Sequence, residues 1–333
     1  MKTIFLCNTP KQCHAVYAPS ILAQMRELLE TDTTVYTKAD VLADPPRFAE
    51  VETVFSTWGM PSFSEQEIRA CFPRLKCVFY AAGSVQGFAR PFLNCGVKVF
   101  SAWAANAVPV AEYTVSQVIL ANKGFFAQTR LMAEKRLDEA KHRKSTCAGN
   151  YGARVGLIGC GMIGSLVARM LKHYDLEVLA YDPFLSAERA SELNVKLVSL
   201  EELFASCNVV SNHLANNRET KGMLRYEHFS TMPEYATFLN TGRGAQVVEQ
   251  DLVRALSERP DLCAVLDVTD PEPAALSHPF YTLPNCFMTP HVAGSLYGEV
   301  VRMAEYMIAE YQNHSAGRPC QYEVTAKMLE TMA

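Results

Sequence analysis

The stretch ARVGLIGCGMIGS, residues 153–165, contains glycines in the order G-x-G-x-x-G directly after a short apolar run. Glycine patterns of this kind occur by chance in many chains, so the neighbouring sequence has to decide its meaning. The run RVGLI predicts a strand, the residues after Gly164 predict a helix, and Asp182 ends the next strand-like run 18 residues after Gly164. This is the order of elements that a dinucleotide-binding fold requires.

The glycines and Asp182 together predict a particular cofactor. In such a fold Gly159 permits a tight turn, Gly161 lets the backbone approach the pyrophosphate at the helix N-terminus, and Gly164 lets the helix pack on the sheet. Asp182 would accept hydrogen bonds from the adenosine ribose and repel a 2′-phosphate, and the proline and phenylalanine after it offer no arginine for that phosphate. We therefore predict NAD in preference to NADP. The alternative is that Asp182 only forms a turn at the strand end.

Around this loop, from residue 151 to residue 290, short apolar runs alternate with helix-like stretches. Seven runs predict strands: ARVGLIG, DLEVLAY, VKLV, NVVSNHL, YATFLN, LCAVLD and NCFMTP. Between them lie helix-like stretches such as SLVARMLKHY, SLEELFASC and VVEQDLVRALSE. The alternation predicts an α/β fold, with a doubly wound parallel sheet that is covered by helices on both faces.

The first hundred residues alternate more loosely. Four runs predict strands (KTIFLC, ETVFST, KCVFYA and VKVFSA), SILAQMRELLE and SEQEIRACF predict helices, and the two-proline segment DPPRF predicts a loop. A helical pattern then covers about 108–135, and a final helix at roughly 295–312 lies beyond the second alternating unit. We therefore predict two domains, one formed by residues 1–103 with 295–333 and the other by residues 104–294.

Composition and charge exclude several classes of function. The 333 residues suffice for two domains with substantial cores. The formal net charge of −4 gives no support for nucleic-acid or membrane binding. No apolar stretch approaches the ~18 residues of a membrane span, and MKTIFLCNTP is too short an apolar start for a signal peptide. The eleven cysteines and eight histidines are scattered without metal-ligand spacing, so we expect buried thiols, no metal site and a cytoplasmic protein.

Three reactive side chains follow three of the predicted strands. Arg243 comes after YATFLN, Glu272 lies in LDVTDPEP just past LCAVLD, and His291 follows NCFMTP. Because ligands of open parallel sheets bind outside the carboxyl ends of the strands, we expect all three at one edge of the sheet. Singly they can be read as a solvated arginine, an acidic loop and a capped histidine. Together, in a dinucleotide fold, they indicate a catalytic set.

The chemistry of carbonyl reduction requires such a set. Hydride that arrives at a ketone carbon leaves negative charge on oxygen, and a histidine such as His291 is suited to donate the proton there. A carboxylate such as Glu272, bound to the other ring nitrogen, would orient the ring and favour its protonated form. The fork of Arg243 can hold a substrate carboxylate and polarise the carbonyl beside it. We expect Gly242 and Gly244 to let the backbone turn so that this guanidinium reaches the substrate.

His213 competes with His291 for the catalytic role, because it also ends a predicted strand. The setting TPHVAG and the available glutamate favour His291, which leaves His213 as a residue of the cofactor wall or of the core. Trp58 and Trp103 are placed either in the substrate pocket or in the core.

Several motifs resemble one family closely. LNTGRG, LDVTDPEP and LPNCFMTPHVAGS are similar to the D-isomer-specific 2-hydroxyacid dehydrogenases, the group that contains phosphoglycerate, glyoxylate/hydroxypyruvate and D-lactate dehydrogenases. The resemblance extends over nearly all the chain from about residue 50 onward. It implies two Rossmann-like domains, a cofactor domain and a smaller flavodoxin-like lid domain that binds substrate. It also implies that Arg243, Glu272 and His291 are the catalytic residues.

The resemblance implies roles for further residues. Asp267 would contact the nicotinamide amide, and Met162, Ile163 and Thr241 would contact the cofactor largely through their backbone. In the first domain, YAAGSVQGF takes the place of the loop that binds the substrate carboxylate through backbone N–H groups, which implicates Ala82, Gly83 and Ser84. The helix at about 108–135 would form a homodimer interface.

We therefore predict an NAD-dependent oxidoreductase that interconverts a small anionic 2-oxo acid and its D-2-hydroxy acid. In this prediction His291 is the general acid and base, Glu272 orients it, and Arg243 binds the substrate. Two alternatives stay open. One is an NAD(H)-sensing binding protein on the same fold, as in the related corepressors, and the other is a formate or phosphite dehydrogenase.

Overall fold

The computed structural model describes residues 2–29, 31 and 33–330, so that residues 1, 30, 32 and 331–333 of the predicted first domain lie outside the described residues. The chain divides into two compact units. The first consists of Met1–Asn106 and Ser295–Ala333, and the second of Ala107–Gly294. The prediction of an α/β protein with two Rossmann-like domains is confirmed.

The first unit is built on a six-stranded sheet with the strand order β13-β5-β4-β3-β1-β2. Its strands are β1 (Thr3–Leu6), β2 (Val35–Tyr36), β3 (Thr53–Ser56), β4 (Cys77–Tyr80), β5 (Lys98–Ser101) and β13 (Glu323–Val324). Its helices are α1 (Pro10–Val16), α2 (Pro19–Leu28), α3 (Lys38–Ala43), α4 (Pro45–Phe48), α5 (Glu65–Cys71), α6 (Ala89–Asn94) and α15 (Val301–Ser315). Short 3-10 turns cover Tyr297–Val300 and Met328–Glu330. The order 2-1-3-4-5 is that of flavodoxin-like folds, with β13 added antiparallel to β5.

A row of phenylalanines explains why four strands of this sheet align as they do. Phe5, Phe55, Phe79 and Phe100 lie in register across β1, β3, β4 and β5. The ring centroids of Phe55 and Phe79 are 5.2 Å apart and those of Phe79 and Phe100 are 4.7 Å apart, in stacked pairs. A slip of one residue would turn every ring to the other face, so burial of the row fixes the register.

The second unit contains a seven-stranded parallel sheet with the order β12-β11-β10-β9-β6-β7-β8. Its strands are β6 (Arg154–Ile158), β7 (Glu177–Tyr181), β8 (Lys196–Leu197), β9 (Val209–Asn212), β10 (Thr237–Asn240), β11 (Cys263–Leu266) and β12 (Cys286–Met288). Its helices are α7 (Trp103–Asn122, which begins in the first unit), α8 (Phe125–Ala133), α9 (Leu137–Thr146), α10 (Met162–Leu171), α11 (Ala187–Leu193), α12 (Leu200–Ser206), α13 (Tyr226–Ser230) and α14 (Glu249–Glu258). Short 3-10 turns cover Gly244–Gln246 and Pro279–Tyr281.

The strand order of the second unit determines where a ligand can bind. Counted from β6, it reads 3-2-1-4-5-6-7, which is the Rossmann order extended by one strand. The order reverses between β6 and β9, so the crevice outside the carboxyl ends of these two strands is the expected ligand site. The glycine loop follows β6 and therefore lies at this switch point.

The structure differs from the sequence-based expectations at two places. The predicted loop DPPRF contains the short helix α4, because Pro45 and Pro46 occupy the first turn of a helix, where proline is tolerated. The predicted dimer helix at about 108–135 is two helices, α7 and α8, because Gly124 between them has φ of +64°.

Candidate active site

The glycine loop after β6 has the geometry of a phosphate cradle. Gly159 has φ of +86°, which permits the turn from β6 into the loop. A Cβ on Gly164 would lie 2.0 Å from the carbonyl oxygen of Gly159, so only glycine lets α10 start this close to the loop. Gly161 precedes the first helical residue and meets no atom within 4 Å at its Cβ position, which leaves open space where a phosphate would approach. The loop therefore fits a dinucleotide.

Asp182 lies beside this loop at the end of β7. Its Oδ2 accepts a hydrogen bond from the backbone N of Cys160 (2.7 Å), and its Oδ1 accepts one from the backbone N of Phe184 (2.8 Å). A carboxylate has about four lone-pair positions, so both oxygens keep acceptor capacity for ribose hydroxyls. Met162 is exposed and Ile163 half-buried in the first turn of α10.

The structure brings Glu272 and His291 together at the ends of neighbouring strands. Oε1 of Glu272 lies 2.7 Å from Nδ1 of His291, a short hydrogen bond that leaves Nε2 as the ring nitrogen available to another group. The two side chains are 39% and 44% exposed, so the pair is open to solvent. β11 and β12, which precede them, are adjacent and parallel. The pair can orient an imidazole and relay a proton.

Asp267 holds the segment that carries His291. Its Oδ1 accepts hydrogen bonds from Oγ1 of Thr289 (2.6 Å) and the backbone N of Val292 (2.8 Å), and its Oδ2 accepts one from the backbone N of Ala293 (2.9 Å). His291 itself has φ of +54°, an unfavourable value for a residue with a side chain. The buried carboxylate thus keeps a strained backbone in place at the candidate site, where such strain is commonly found.

Arg243 follows β10, the neighbour of β11, and its loop is held by buried amides. Gln246 Oε1 accepts hydrogen bonds from the backbone N of Arg243 (3.2 Å) and from Nδ2 of Asn212 (2.6 Å). Asn240 Nδ2 donates to the carbonyl of Arg243 (3.2 Å). The guanidinium is half-buried, and its Nη1 donates to the carbonyl of Gly242 (2.7 Å). The remaining N–H groups of the fork can bind an anion.

The glycines beside Arg243 serve close packing rather than the turn expected from the sequence. Neither Gly242 nor Gly244 has a positive φ. A Cβ on Gly244 would lie 2.0 Å from the carbonyl carbon of Thr269 and 2.5 Å from the backbone N of Asp270. The Arg243 loop is thereby pressed against the loop that leads to Glu272.

A cavity of about 720 Å³ opens beside the His291–Glu272 pair. Asp267, Thr269, Tyr281 and Met288 are among its other lining residues. Arg243 does not line this cavity and is linked to it through the contact of Gly244 with Thr269. A second groove, of about 910 Å³, lies at Tyr151, Asp175 and Lys196 and contains none of the predicted site residues.

His213, the competing histidine, is buried at the end of β9. Its Nε2 lies 3.0 Å from Oγ of Ser211, and its Nδ1 has no hydrogen-bond partner among the described residues. Burial lowers the pKa of His213 to about 4, so this ring is neutral at pH 7. A neutral, enclosed ring is a poor proton donor, which agrees with the preference for His291.

Burial of His213 predicts that the protein loses stability in mild acid. The unfolded chain binds a proton near pH 6.5 and the folded one only near pH 4, so the free energy of unfolding falls as the pH drops through this window. Between pH 7 and pH 5 the expected loss from this residue is about 2 kcal/mol. Urea denaturation at both pH values measures it, and the loss should disappear in His213→Gln. An identical pH dependence in both proteins would contradict the prediction.

The remaining predicted residues lie in two places. Thr241 is buried in the second unit, with its Oγ1 3.3 Å from Oγ1 of Thr114. In the first unit, Ala82, Gly83 and Ser84 form the loop after β4. The N–H of Ala82 already donates to the carbonyl of Tyr80 (2.9 Å), whereas no hydrogen bond of the described residues uses the N–H of Gly83 or Ser84.

The two tryptophans pack, partly buried, against the core of the first unit. The ring of Trp103 meets that of Tyr322 edge-on, with centroids 5.6 Å apart. The carbonyl of Trp58 accepts a hydrogen bond from Sγ of Cys7 (3.1 Å). These contacts place both residues against the core of the first unit, and a place in the substrate pocket stays a prediction for each.

Sequence reasoning did not find the residues that anchor the site. The buried amides Asn212, Asn240 and Gln246 and the contacts of Asp267 were not predicted, although polar residues at the ends of apolar strands are a usable signal.

Among the described residues, no cluster of three or more His, Cys, Asp or Glu side chains could hold a metal ion. No helix of the described residues is long and apolar enough to cross a membrane.

Comparisons with known proteins identify relatives of this chain. Residues 115–293 match the family model described as D-isomer specific 2-hydroxyacid dehydrogenase, NAD binding domain. D-3-phosphoglycerate dehydrogenase of Archaeoglobus fulgidus is 30% identical over 237 residues, which cover 71% of this chain and 44% of that protein. Formate dehydrogenase of Neurospora crassa is 31% identical over 280 residues, which cover 81% of this chain and 74% of that protein.

The fold is shared with solved structures at low sequence identity. The apo form of D-mandelate dehydrogenase from Rhodotorula graminis superimposes with a TM-score of 0.81 at 18% identity, over 97% of each chain. The chain spans less than half the length of the phosphoglycerate dehydrogenase it matches. The match over residues 115–293 and the formate dehydrogenase relative establish the family membership that the motifs predicted. The chain belongs to the D-isomer specific 2-hydroxyacid dehydrogenase family.

Proposed function

We propose that this chain interconverts a small 2-oxo acid and its D-2-hydroxy acid with NAD(H) as cofactor. The observation that carries the proposal is the hydrogen bond between Nδ1 of His291 and Oε1 of Glu272, 2.7 Å long. The pair lies at the carboxyl edge of a sheet whose switch point carries a dinucleotide loop. Such a pair provides proton transfer to the oxygen of a carbonyl that is being reduced.

Each side chain of the site has one task in this proposal. In reduction, His291 donates the proton from Nε2 to the developing alkoxide, and in oxidation the same atom accepts it. Glu272 holds the ring through Nδ1 and fixes its orientation. Arg243 binds the substrate carboxylate through the N–H groups of its fork and orients the carbonyl. In the first unit, the N–H groups of Gly83 and Ser84, which no hydrogen bond of the described residues uses, are candidate donors to an anion.

The cofactor supplies the hydride when it is bound. The residues that would hold it are Gly159, Gly161 and Gly164 at the pyrophosphate, Asp182 at the ribose and Asp267 at the nicotinamide end. The acceptor capacity left on Asp182 and the open space at Gly161 support this assignment.

Replacement of Asp182 by alanine is expected to weaken the preference for NAD over NADP. The carboxylate would repel the 2′-phosphate of NADP and bind the ribose hydroxyls of NAD. Its removal therefore weakens the binding of NAD and removes the repulsion of NADP. The ratio of kcat/KM with NADH and with NADPH should shift roughly 10-fold or more toward NADPH, as expected for about 1.4 kcal/mol. Glu188→Ala on α11 is a control that should leave the ratio unchanged. An unaltered ratio in Asp182→Ala would reject the assignment.

The proposal is tested by NADH consumption with a panel of 2-oxo acids that includes glyoxylate, hydroxypyruvate, pyruvate and longer chains. Turnover of at least one member is expected. If NADH binds tightly and no member is reduced, a cofactor-sensing protein is favoured instead. Formate with NAD belongs in the panel because of the formate dehydrogenase relative. Formate oxidation needs no proton transfer to an alcohol oxygen, so the His291–Glu272 pair favours the 2-oxo acids.

We further propose a homodimer formed through the second unit. Helix α8 has no buried residue in the described chain, although its sequence FFAQTRLMA is largely apolar. Phe125, Met132 and, just beyond the helix, Leu137 are exposed. Apolar side chains concentrated on one exposed stretch are commonly covered by a partner. Light scattering should give about twice the chain mass of 37.0 kDa.

A further inference from the structure

A single carboxylate holds both ends of the segment 270–278, which carries Glu272. The backbone N of Asp270 donates a hydrogen bond to Oε1 of Glu249 (2.9 Å). At the other end, Nε2 of His278 lies 3.3 Å from Oε2 of Glu249. Each oxygen of Glu249 therefore has one end of the segment as its partner, and Glu272 lies between these ends.

The pair of Glu249 and His278 is largely enclosed, unlike the pair of Glu272 and His291. Its side chains are only 12% and 13% exposed. Nδ1 of His278 accepts a hydrogen bond from the backbone N of Phe280 (3.3 Å), so a neutral ring carries its proton on Nε2, the nitrogen that lies near Glu249. Burial raises the pKa of Glu249, and the hydrogen bond from Asp270 and the nearby His278 oppose this effect.

Glu249 also connects this segment to the loop of Arg243. It is the first residue of α14, which follows the 3-10 turn Gly244–Gln246. Gly244 packs directly on the backbone of Thr269 and Asp270. The loop that leads to Glu272 is thus fixed from the side of Arg243 by a close backbone contact and by a buried carboxylate.

Such an anchor is needed because the catalytic pair cannot fix itself by burial. Glu272 and His291 are each about two-fifths exposed, and an exposed carboxylate on a loop samples several rotamers unless its backbone is held. A displacement of about 1 Å is enough to misplace a catalytic group and lower the rate, so the support of the loop matters for catalysis.

We infer that Glu249 is a positioning residue, which places Glu272 against His291 by fixing both ends of the segment 270–278, with His278 as its partner. The inference rests on the proposed function for the role of the His291–Glu272 pair. A purely structural role is the competing explanation, because an acidic residue in the first turn also stabilises α14 through the helix dipole. Readouts at His291 separate the two.

The test is the variant Glu249→Ala. We expect kcat for 2-oxo acid reduction to fall roughly 10- to 100-fold, the scale of a misplaced catalytic group, with KM and the Kd of NADH changed less than about threefold. The NMR chemical shifts of the His291 ring, which report its hydrogen bond to Glu272, should move toward those of Glu272→Gln. Glu258→Ala, at the exposed end of the same helix, removes contacts to Tyr226 and Arg254 and should leave both readouts unchanged.

A kcat within threefold of wild type together with unchanged chemical shifts of the His291 ring would overturn the inference. If Glu249→Ala does not fold, Glu249→Gln decides, because its oxygen still accepts from Asp270 while its uncharged amide cannot form an ion pair with His278. This variant should show a smaller loss of kcat and a change of the ring chemical shifts in the same direction, and wild-type values would again overturn the inference. A wild-type protein that reduces no 2-oxo acid would reject the proposed function, whereas the chemical shifts would still decide the positioning role.

Discussion

His291→Ala is expected to lower kcat for 2-oxo acid reduction roughly 10²–10⁴-fold, the usual contribution of general acid–base catalysis. This range corresponds to about 3–5 kcal/mol of lost transition-state stabilisation. The variant removes the only ring that Glu272 orients in the described structure, at a position where Nε2 is available to a substrate oxygen. Steady-state rates with NADH, together with the Kd of NADH from fluorescence, measure the effect. Binding of NADH should change little, because the glycine loop and Asp182 are untouched.

The control for this prediction is His173→Ala, an exposed histidine in the same unit, just beyond α10. It should leave kcat unchanged. Glu272→Gln should lie between wild type and His291→Ala, because the ring stays in place but loses its charged partner. If kcat of His291→Ala stays within about threefold of wild type, the proton comes from elsewhere and the proposed role is wrong.

Six strands of the second unit could be predicted because each buries an apolar run between two layers of helices. The two residues of β8 are exposed, and its prediction came from the longer run VKLV around it. All seven predicted runs contain an observed strand, from β6 to β12. β2 and β13 in the first unit could not be predicted in this way. Each has two residues, as β8 has, but neither lies in a longer apolar run, and β13 pairs antiparallel with β5 only after the chain has passed through α15. Their place depends on tertiary packing.

Helix boundaries failed at prolines for an identifiable reason. Pro45 was read as a breaker, but it stands at the first position of α4, where its missing N–H costs nothing. Pro109 was read as near a helix start, yet it lies inside α7, which begins at Trp103. A proline restricts the backbone, but its position alone does not determine whether a helix begins before it or at it.

The reactive residues of the site could be predicted, because each is a chemically distinctive residue at the end of a strand. The residues that position them could not be predicted in this way. Arg243, Glu272 and His291 were selected from sequence in this way, and their roles remain predictions. Glu249 and His278 gave no signal, because their importance comes from contacts with Asp270 and with each other across the fold. The substrate could not be predicted, because its pocket depends on side chains that surround the acid rather than on the reactive set.

Arg243→Lys is expected to lower kcat/KM for the 2-oxo acid roughly 10²–10³-fold, the scale of losing one preorganised donor to a developing charge. A guanidinium offers two parallel N–H groups to a carboxylate, and with Nη1 partly engaged by the carbonyl of Gly242 its remaining donors still form a fork. An ammonium is a point charge that cannot reproduce this geometry.

Arg254→Lys on α14, where the arginine pairs with Glu258 at the surface, is the matched control and should match wild type. The decisive comparison uses the amide of the same 2-oxo acid: wild type should prefer the acid strongly, and Arg243→Lys should lose most of that preference. If the variant kept the full preference for the acid, Arg243 would not be the group that recognises the carboxylate, because its fork would be absent while the discrimination persisted.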